Sequence, residues 1–127
     1  HDFMPPGIHA GGLRYHGDSP LVSQLLHEGR IEALAVPQVA TFDAGVRFAR
    51  AEGIIPAPES CHAIRAAIDE ALRCKASGEA RTILFNLTGH GHFDMASYDR
   101  FLSGKLEDYE YPAEAIAESL KHLPKVG

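Results

Sequence analysis

Leu21, Leu25 and Leu26 fall on one helical face between Ser19-Pro20 and Gly29. That spacing predicts a first helix with Ser19 as its cap and Pro20 at its first position. "IEALAVP", residues 31–37, is short, mostly apolar and ended by proline, the pattern of a strand. Thr41 is placed to cap a second helix, "FDAGVRFARAE", with Phe42, Val46, Phe48 and Ala49 facing inward and Gly53 as its left-handed stop. Ile64, Ile68, Ala71 and Leu72 then recur at helical spacing while Arg65, Asp69, Glu70 and Arg73 form the wet side, which predicts a helix over 60–77 closed by Gly78. "RTILFNL", residues 81–87, is β-branched and apolar and reads as a strand covered on both faces. Asp94 is placed to cap a helix over "MASYDRFLSG" ending near Gly104, and Pro112 to begin a last one that stops before Pro124.

Strands alternating with helices define the α/β class with parallel strands, at about 31–37 and 81–87, flanked by helices. With 127 residues and 45% apolar content, the chain has material for one core, so 1–127 is expected to be a single unit. Residues 1–18 contain four glycines, two prolines and three histidines without a period, and read as a loop entering from elsewhere. The chain opens on His1 rather than Met, as expected of a piece of a longer protein.

A formal charge of −5 offers no general attraction for nucleic acid or anionic lipid. No apolar run approaches the roughly 18 residues of a membrane span, and a cytoplasmic location is the expectation. Cys61 and Cys74, thirteen positions apart on one predicted helix, are too distant along its axis to be bridged, and read as packing thiols in a reducing compartment.

The densest chemistry is in "TGHGHFD", residues 88–94, directly after the second predicted strand. Loops at strand ends are where open α/β sheets bind ligands, and Thr88 is the first residue past the strand, with glycines beside it. The plain alternative is a glycine turn that contains a threonine. His90-x-His92-x-Asp94 resembles the opening of the zinc site of metallo-β-lactamase-like hydrolases, but Met95 stands where a further histidine is needed. The loop lacks both GxGxxG spacing and a P-loop lysine. Cys61 and His62 are adjacent, so on a helix their side chains diverge by about 100°, and Cys61 reads as packing rather than as a nucleophile. "AEGIIPAPESCHAI", residues 51–64, joins Glu52 and Gly53 to Glu59-Ser60 at the next helix start through a rigid connection.

Taken together, "LRYHGDSP" (13–20), "EGIIPAPESCHAI" (52–64), "ILFNLTGHGHFD" (83–94) and "LEDYEYP" (106–112) resemble the C-terminal part of the tryptophan synthase beta chain, most closely its second, beta-like group. The resemblance implies a C-terminal segment of the type II fold of pyridoxal-phosphate enzymes. It implies an activity that joins indole to the side-chain carbon of serine to give tryptophan, and a homodimer completed by the upstream part of the same chain. The Schiff-base lysine lies in that upstream part, so no catalytic residue is expected here and the isolated chain is expected to be inactive.

On the same resemblance, Thr88 and Gly89 with Glu52 and Gly53 form a cofactor wall, the Thr88 hydroxyl facing the pyridine nitrogen. A neutral hydroxyl leaves that nitrogen largely unprotonated, which favours β-replacement over transamination. His90 and His92 replace an arginine and an acid of the commoner beta chains, and are read as holding the loop by hydrogen bonds or, alternatively, as sensing charge near the cofactor. Arg14 and His16 replace a segment whose aspartate meets the amino-acid hydroxyl, and a cation there suits a phosphate leaving group. O-phosphoserine is therefore expected as a better donor than serine. Two readings from other classes stand beside this one: a module that holds a small anion in loop 88–93, and the zinc hydrolase.

Overall fold

Proline cannot continue the backbone ladder and a left-handed glycine ends it, and these two residues mark most element boundaries here. The structure, a computed structural model, describes residues 7–15, 17–110 and 112–121. Among these residues a 3₁₀ turn at Gly11–Leu13 precedes five helices: α1 (Pro20–His27), α2 (Gln38–Glu52), α3 (Pro58–Ser77), α4 (Met95–Leu102) and α5 (Ala113–Lys121). Gly53 and Gly78 close α2 and α3 at φ 72° and 74°, as their sequence positions predict. The expected end of the last helix before Pro124 lies outside the described residues.

Helix α2 begins at Gln38, four residues before the predicted start, and Thr41 is not its cap. The buried Thr41 hydroxyl donates to the Gln38 carbonyl within the first turn. The free N–H of Val39 donates instead to Asp108 Oδ1 at 2.9 Å, and the Gln38 side-chain amide donates to the Glu107 carbonyl. The "LEDYEYP" segment thus caps α2 from far along the chain. Helix α3 starts two residues early, at Pro58, and its inward stripe fades: Ile64 is buried, Ile68 half-buried, Ala71 and Leu72 exposed.

The core sits where α2, α3 and α4 meet. Phe42, Cys61, Tyr98 and Leu106 form it, flanked by Val39, Val46, Ile55 and Phe101. Phe42 meets Tyr98 edge-on, ring centroids 5.0 Å apart, an arrangement favoured by the ring quadrupoles. Helices α2 and α3 approach so closely at Gly45 that a Cβ there would stand 2.5 Å from Cys61 Sγ. Both cysteines are free and buried.

The two predicted strands do not form: among the described residues no β-strand is present. Residues 31–37 and 81–87 are irregular and unpaired. A strand is defined by ladder hydrogen bonds to a neighbour, and neither stretch has one. The expectation that 81–87 is covered on both faces is likewise corrected. Ile83, Phe85 and Leu87 are half-buried, Phe85 edge-on to Phe48, while Thr82, Leu84 and Asn86 face outward. Leu84 is 95% exposed. The alternation of a strand is kept without the sheet.

Much apolar surface stays open. The accessible surface is 9813 Å², whereas a folded monomer of 13.8 kDa exposes about 6,600 Å². Helix α1 buries none of its residues, and an apolar groove of about 370 Å³ runs between α2, α3 and the 81–87 segment, lined by Phe48, Ile64, Ile68, Ile83 and Phe85 among others. No described helix is long and apolar enough to cross a membrane.

Candidate functional site

The first turn of α3 is the anchor of the site. Pro56 precedes it and Pro58 opens it, both buried, so the chain enters the helix in a fixed direction. Ser60, 5% exposed, bonds the backbone of Thr88 on both sides. Its hydroxyl donates to the Thr88 carbonyl at 2.8 Å and accepts the Thr88 N–H at 3.2 Å. The neighbouring Glu59 accepts the Gly12 N–H at 2.8 Å, which draws the 3₁₀ turn, and Arg14 just after it, onto the same helix end. Arg14 is exposed. His16, its expected companion, lies outside the described residues.

The loop after Thr88 is held down by close approach. Gly89 takes φ 66°, and Gly91 donates its N–H to the Ile55 carbonyl at 2.8 Å. A Cβ on Gly91 would stand 2.5 Å from the Pro56 carbonyl oxygen, so only glycine fits. Tyr98 closes the arrangement, its hydroxyl donating to that same Pro56 carbonyl at 2.6 Å and lying 3.3 Å from Cys61 Sγ. Burial, followed by the contact with Cys61, pushes the Tyr98 phenol far above its usual range. Burial also raises the Cys61 thiol, against a lowering by its bond to Tyr98. Cys61 is therefore a protonated packing group, as its sequence setting suggests.

The remaining site residues are placed less closely. Glu52 is the exposed last residue of α2 and Gly53 its left-handed cap. They are tied to the Thr88 loop through the backbone that follows, by the Gly91–Ile55 and Ser60–Thr88 bonds. Thr88 itself is exposed, and its hydroxyl makes no hydrogen bond among the described residues. A free hydroxyl on a pinned backbone, followed by a residue without a side chain, suits a polar atom of a ligand seated at the rim.

His90 and His92 sit together at the exposed rim of the loop. His90 Nδ1 accepts the His92 N–H at 3.2 Å. The His90 ring lies 4.9 Å from that of His92 and 5.3 Å from that of Phe93. Among the described residues no group of three or more His, Cys, Asp and Glu side chains is disposed to hold a metal, and the third ligand that the zinc reading needs is not supplied. The anion reading also loses donors. The N–H groups of Thr88, Gly91, His92 and Asp94 are all engaged within the fold.

Sequence reasoning missed Ser60, Gly91 and Tyr98 as the devices that hold the loop. A small hydroxyl residue in the first turn after a proline-rich connection was the available signal for Ser60. Nothing in the spacing pairs it with Thr88, which lies far along the chain.

Fold and site together define a segment whose α3 N-terminus pins the Thr88 loop and whose apolar faces remain open. No family model matches the chain. It is 66% identical over 107 residues to tryptophan synthase beta chain 2 of Methanosarcina mazei, covering 84% of this chain and 24% of that one. The protein of the same name from Aquifex aeolicus is 63% identical, with 85% and 25% covered. The tryptophan synthase beta chain of Pyrococcus horikoshii is 56% identical, with 87% and 24% covered. The chain is thus a tryptophan synthase beta-type segment, and it spans about a quarter of the length of these relatives.

Proposed function

We propose that this chain is the C-terminal portion of a tryptophan synthase beta-type enzyme that joins indole to the side-chain carbon of an amino-acid donor, serine or O-phosphoserine, to give tryptophan. The observation that carries the reading is the 66% identity over 84% of the chain, which includes the pinned Thr88 loop. Pyridoxal phosphate, when bound, supplies the electron sink for cleavage at the amino acid's side chain.

The chain's own residues contribute one wall. The Thr88 hydroxyl meets the pyridine nitrogen as a neutral partner and moves no proton. Glu52 and Gly53 line the ring, and Gly89 leaves room for it. The exposed guanidinium of Arg14, just after a turn anchored by Glu59, pairs with the phosphate of a phosphoserine donor; His16, outside the described residues, is assigned to the same donor. The open apolar faces and the unpaired 81–87 segment support a structure completed by the rest of the longer chain and by a second copy. A cytoplasmic setting belongs to the same reading. Without the upstream lysine the isolated chain is inactive.

The test is the full-length protein that contains this segment, assayed for tryptophan from indole with each donor. Tryptophan formation supports the reading, and formation with neither donor contradicts it. Equal turnover of serine and phosphoserine, unchanged in Arg14→Ala, removes the phosphate role alone.

A further inference from the structure

We propose that Ser60 is a positioning residue for the cofactor contact: its buried hydroxyl, bonded to both the amide and the carbonyl of Thr88, sets the direction in which the Thr88 hydroxyl points. The proposal rests on the reading of Thr88 as the partner of the pyridine nitrogen, and extends it to a residue outside the ligand's reach.

Three features carry it. First, a serine hydroxyl both donates and accepts, and here it does both toward one residue, at 2.8 Å and 3.2 Å. Alanine makes neither bond, and a carboxylate would repel the Thr88 carbonyl. Second, Thr88 has no other backbone anchor among the described residues. The 81–87 segment before it is in no ladder, and the chain turns at Gly89 immediately after it. Third, threonine is stiff about its first side-chain bond, so fixing its backbone narrows the directions its hydroxyl can take to a few. Ser60 sits nine-tenths buried on the first turn of α3, a rigid base for that purpose.

The experiment uses the full-length holoenzyme reconstituted with pyridoxal phosphate labelled with ¹⁵N in the ring, in wild-type, Ser60→Ala, Ser60→Cys and Thr88→Ala forms and the double variant Ser60→Ala with Thr88→Ala. The ring-nitrogen resonance reports the hydrogen bond directly. Thr88→Ala is expected to move it, Ser60→Ala to move it the same way with full cofactor occupancy, and the double variant to match Thr88→Ala. In the apoprotein the Thr88 amide is expected to exchange with solvent about tenfold faster in Ser60→Ala, for loss of its acceptor. Turnover falls by roughly tenfold to a hundredfold, as small misplacements of reacting groups do, with the KM for indole unchanged.

A resonance unmoved in Ser60→Ala but moved in Thr88→Ala overturns the role of Ser60. A resonance unmoved in both shows that the Thr88 contact itself is absent. Should Ser60→Ala fail to fold, Ser60→Cys decides: its weak thiol bonds predict a partial shift, and a wild-type resonance overturns the proposal.

Discussion

Gly91 lies against Pro56 with no room for a side chain, since a Cβ would come within 2.5 Å of the Pro56 carbonyl oxygen and 2.8 Å of Ile55 Cγ2. The obstacle is space rather than backbone conformation, because Gly91 is not among the glycines with positive φ. Gly91→Ala is therefore expected to lower stability by about 1–3 kcal/mol through overpacking, read as a fall in the melting temperature of the protein that carries this segment. Gly89→Ala differs: the nearest atom to its Cβ is Ala57 Cβ at 3.6 Å, and the φ of 66° is the strained feature. Its expected cost is about 1–2 kcal/mol. A melting temperature unmoved by Gly91→Ala would remove the close approach.

Asp108 caps α2 through the Val39 N–H at 2.9 Å. Asp108→Ala is expected to cost about 1 kcal/mol, and Asp108→Asn, which keeps a side-chain acceptor, a few tenths. Equal effects of the two in calorimetry would mean that the bond carries no weight.

Tyr98 and Cys61 are both acids held protonated by burial, with folded pKa values above the ordinary ones. A raised acid contributes stability that is complete below its unfolded pKa and is lost as the pH climbs toward the folded value. The melting temperature is thus expected to fall from about pH 9 upward, near the ordinary Cys and Tyr values. Tyr98→Phe flattens the upper part of that decline while costing about 1–3 kcal/mol at pH 7 for the Pro56 carbonyl left unbonded. An alkaline limb identical in Tyr98→Phe would show that this phenol is not the group.

Asp94 is raised by burial first and then by the Glu59 charge, and lowered by His90. The sign is the same: its favourable contribution is present below the ordinary value near 4 and is lost as pH rises. At pH 7 the ionised Asp94 is a burden, so Asp94→Asn, which removes the charge and breaks no side-chain cap bond, is expected to raise the melting temperature modestly. That gain fades as the pH falls toward about 4 and is absent below it. A gain that grows on acidification would contradict the assignment.

What the sequence made legible follows the range of the forces. Helix ends set by a local left-handed glycine, at Gly53 and Gly78, could be read directly. The start of α2 could not, because its cap is Asp108, brought from a distant segment. The strands were misread for a related reason. "RTILFNL" has the period of a strand and keeps that alternation of exposure, but a sheet needs partner strands, and none forms among the described residues. At the site, Thr88 and the glycine turn were visible as residue types in a suggestive order. The grip of Ser60 on Thr88, and of Ile55 and Pro56 on Gly91, depends on the α3 entry folding back against the loop.

The central claim is that the Thr88 hydroxyl serves as the neutral partner of a pyridoxal ring nitrogen. A crystal structure of the full-length protein with pyridoxal phosphate bound tests it most directly. The account predicts the Thr88 Oγ1 at about 2.7–3.2 Å from the pyridine nitrogen, with Ser60 still bonded to the Thr88 backbone. A ring nitrogen facing a carboxylate, or a Thr88 hydroxyl turned away from the coenzyme, would contradict it.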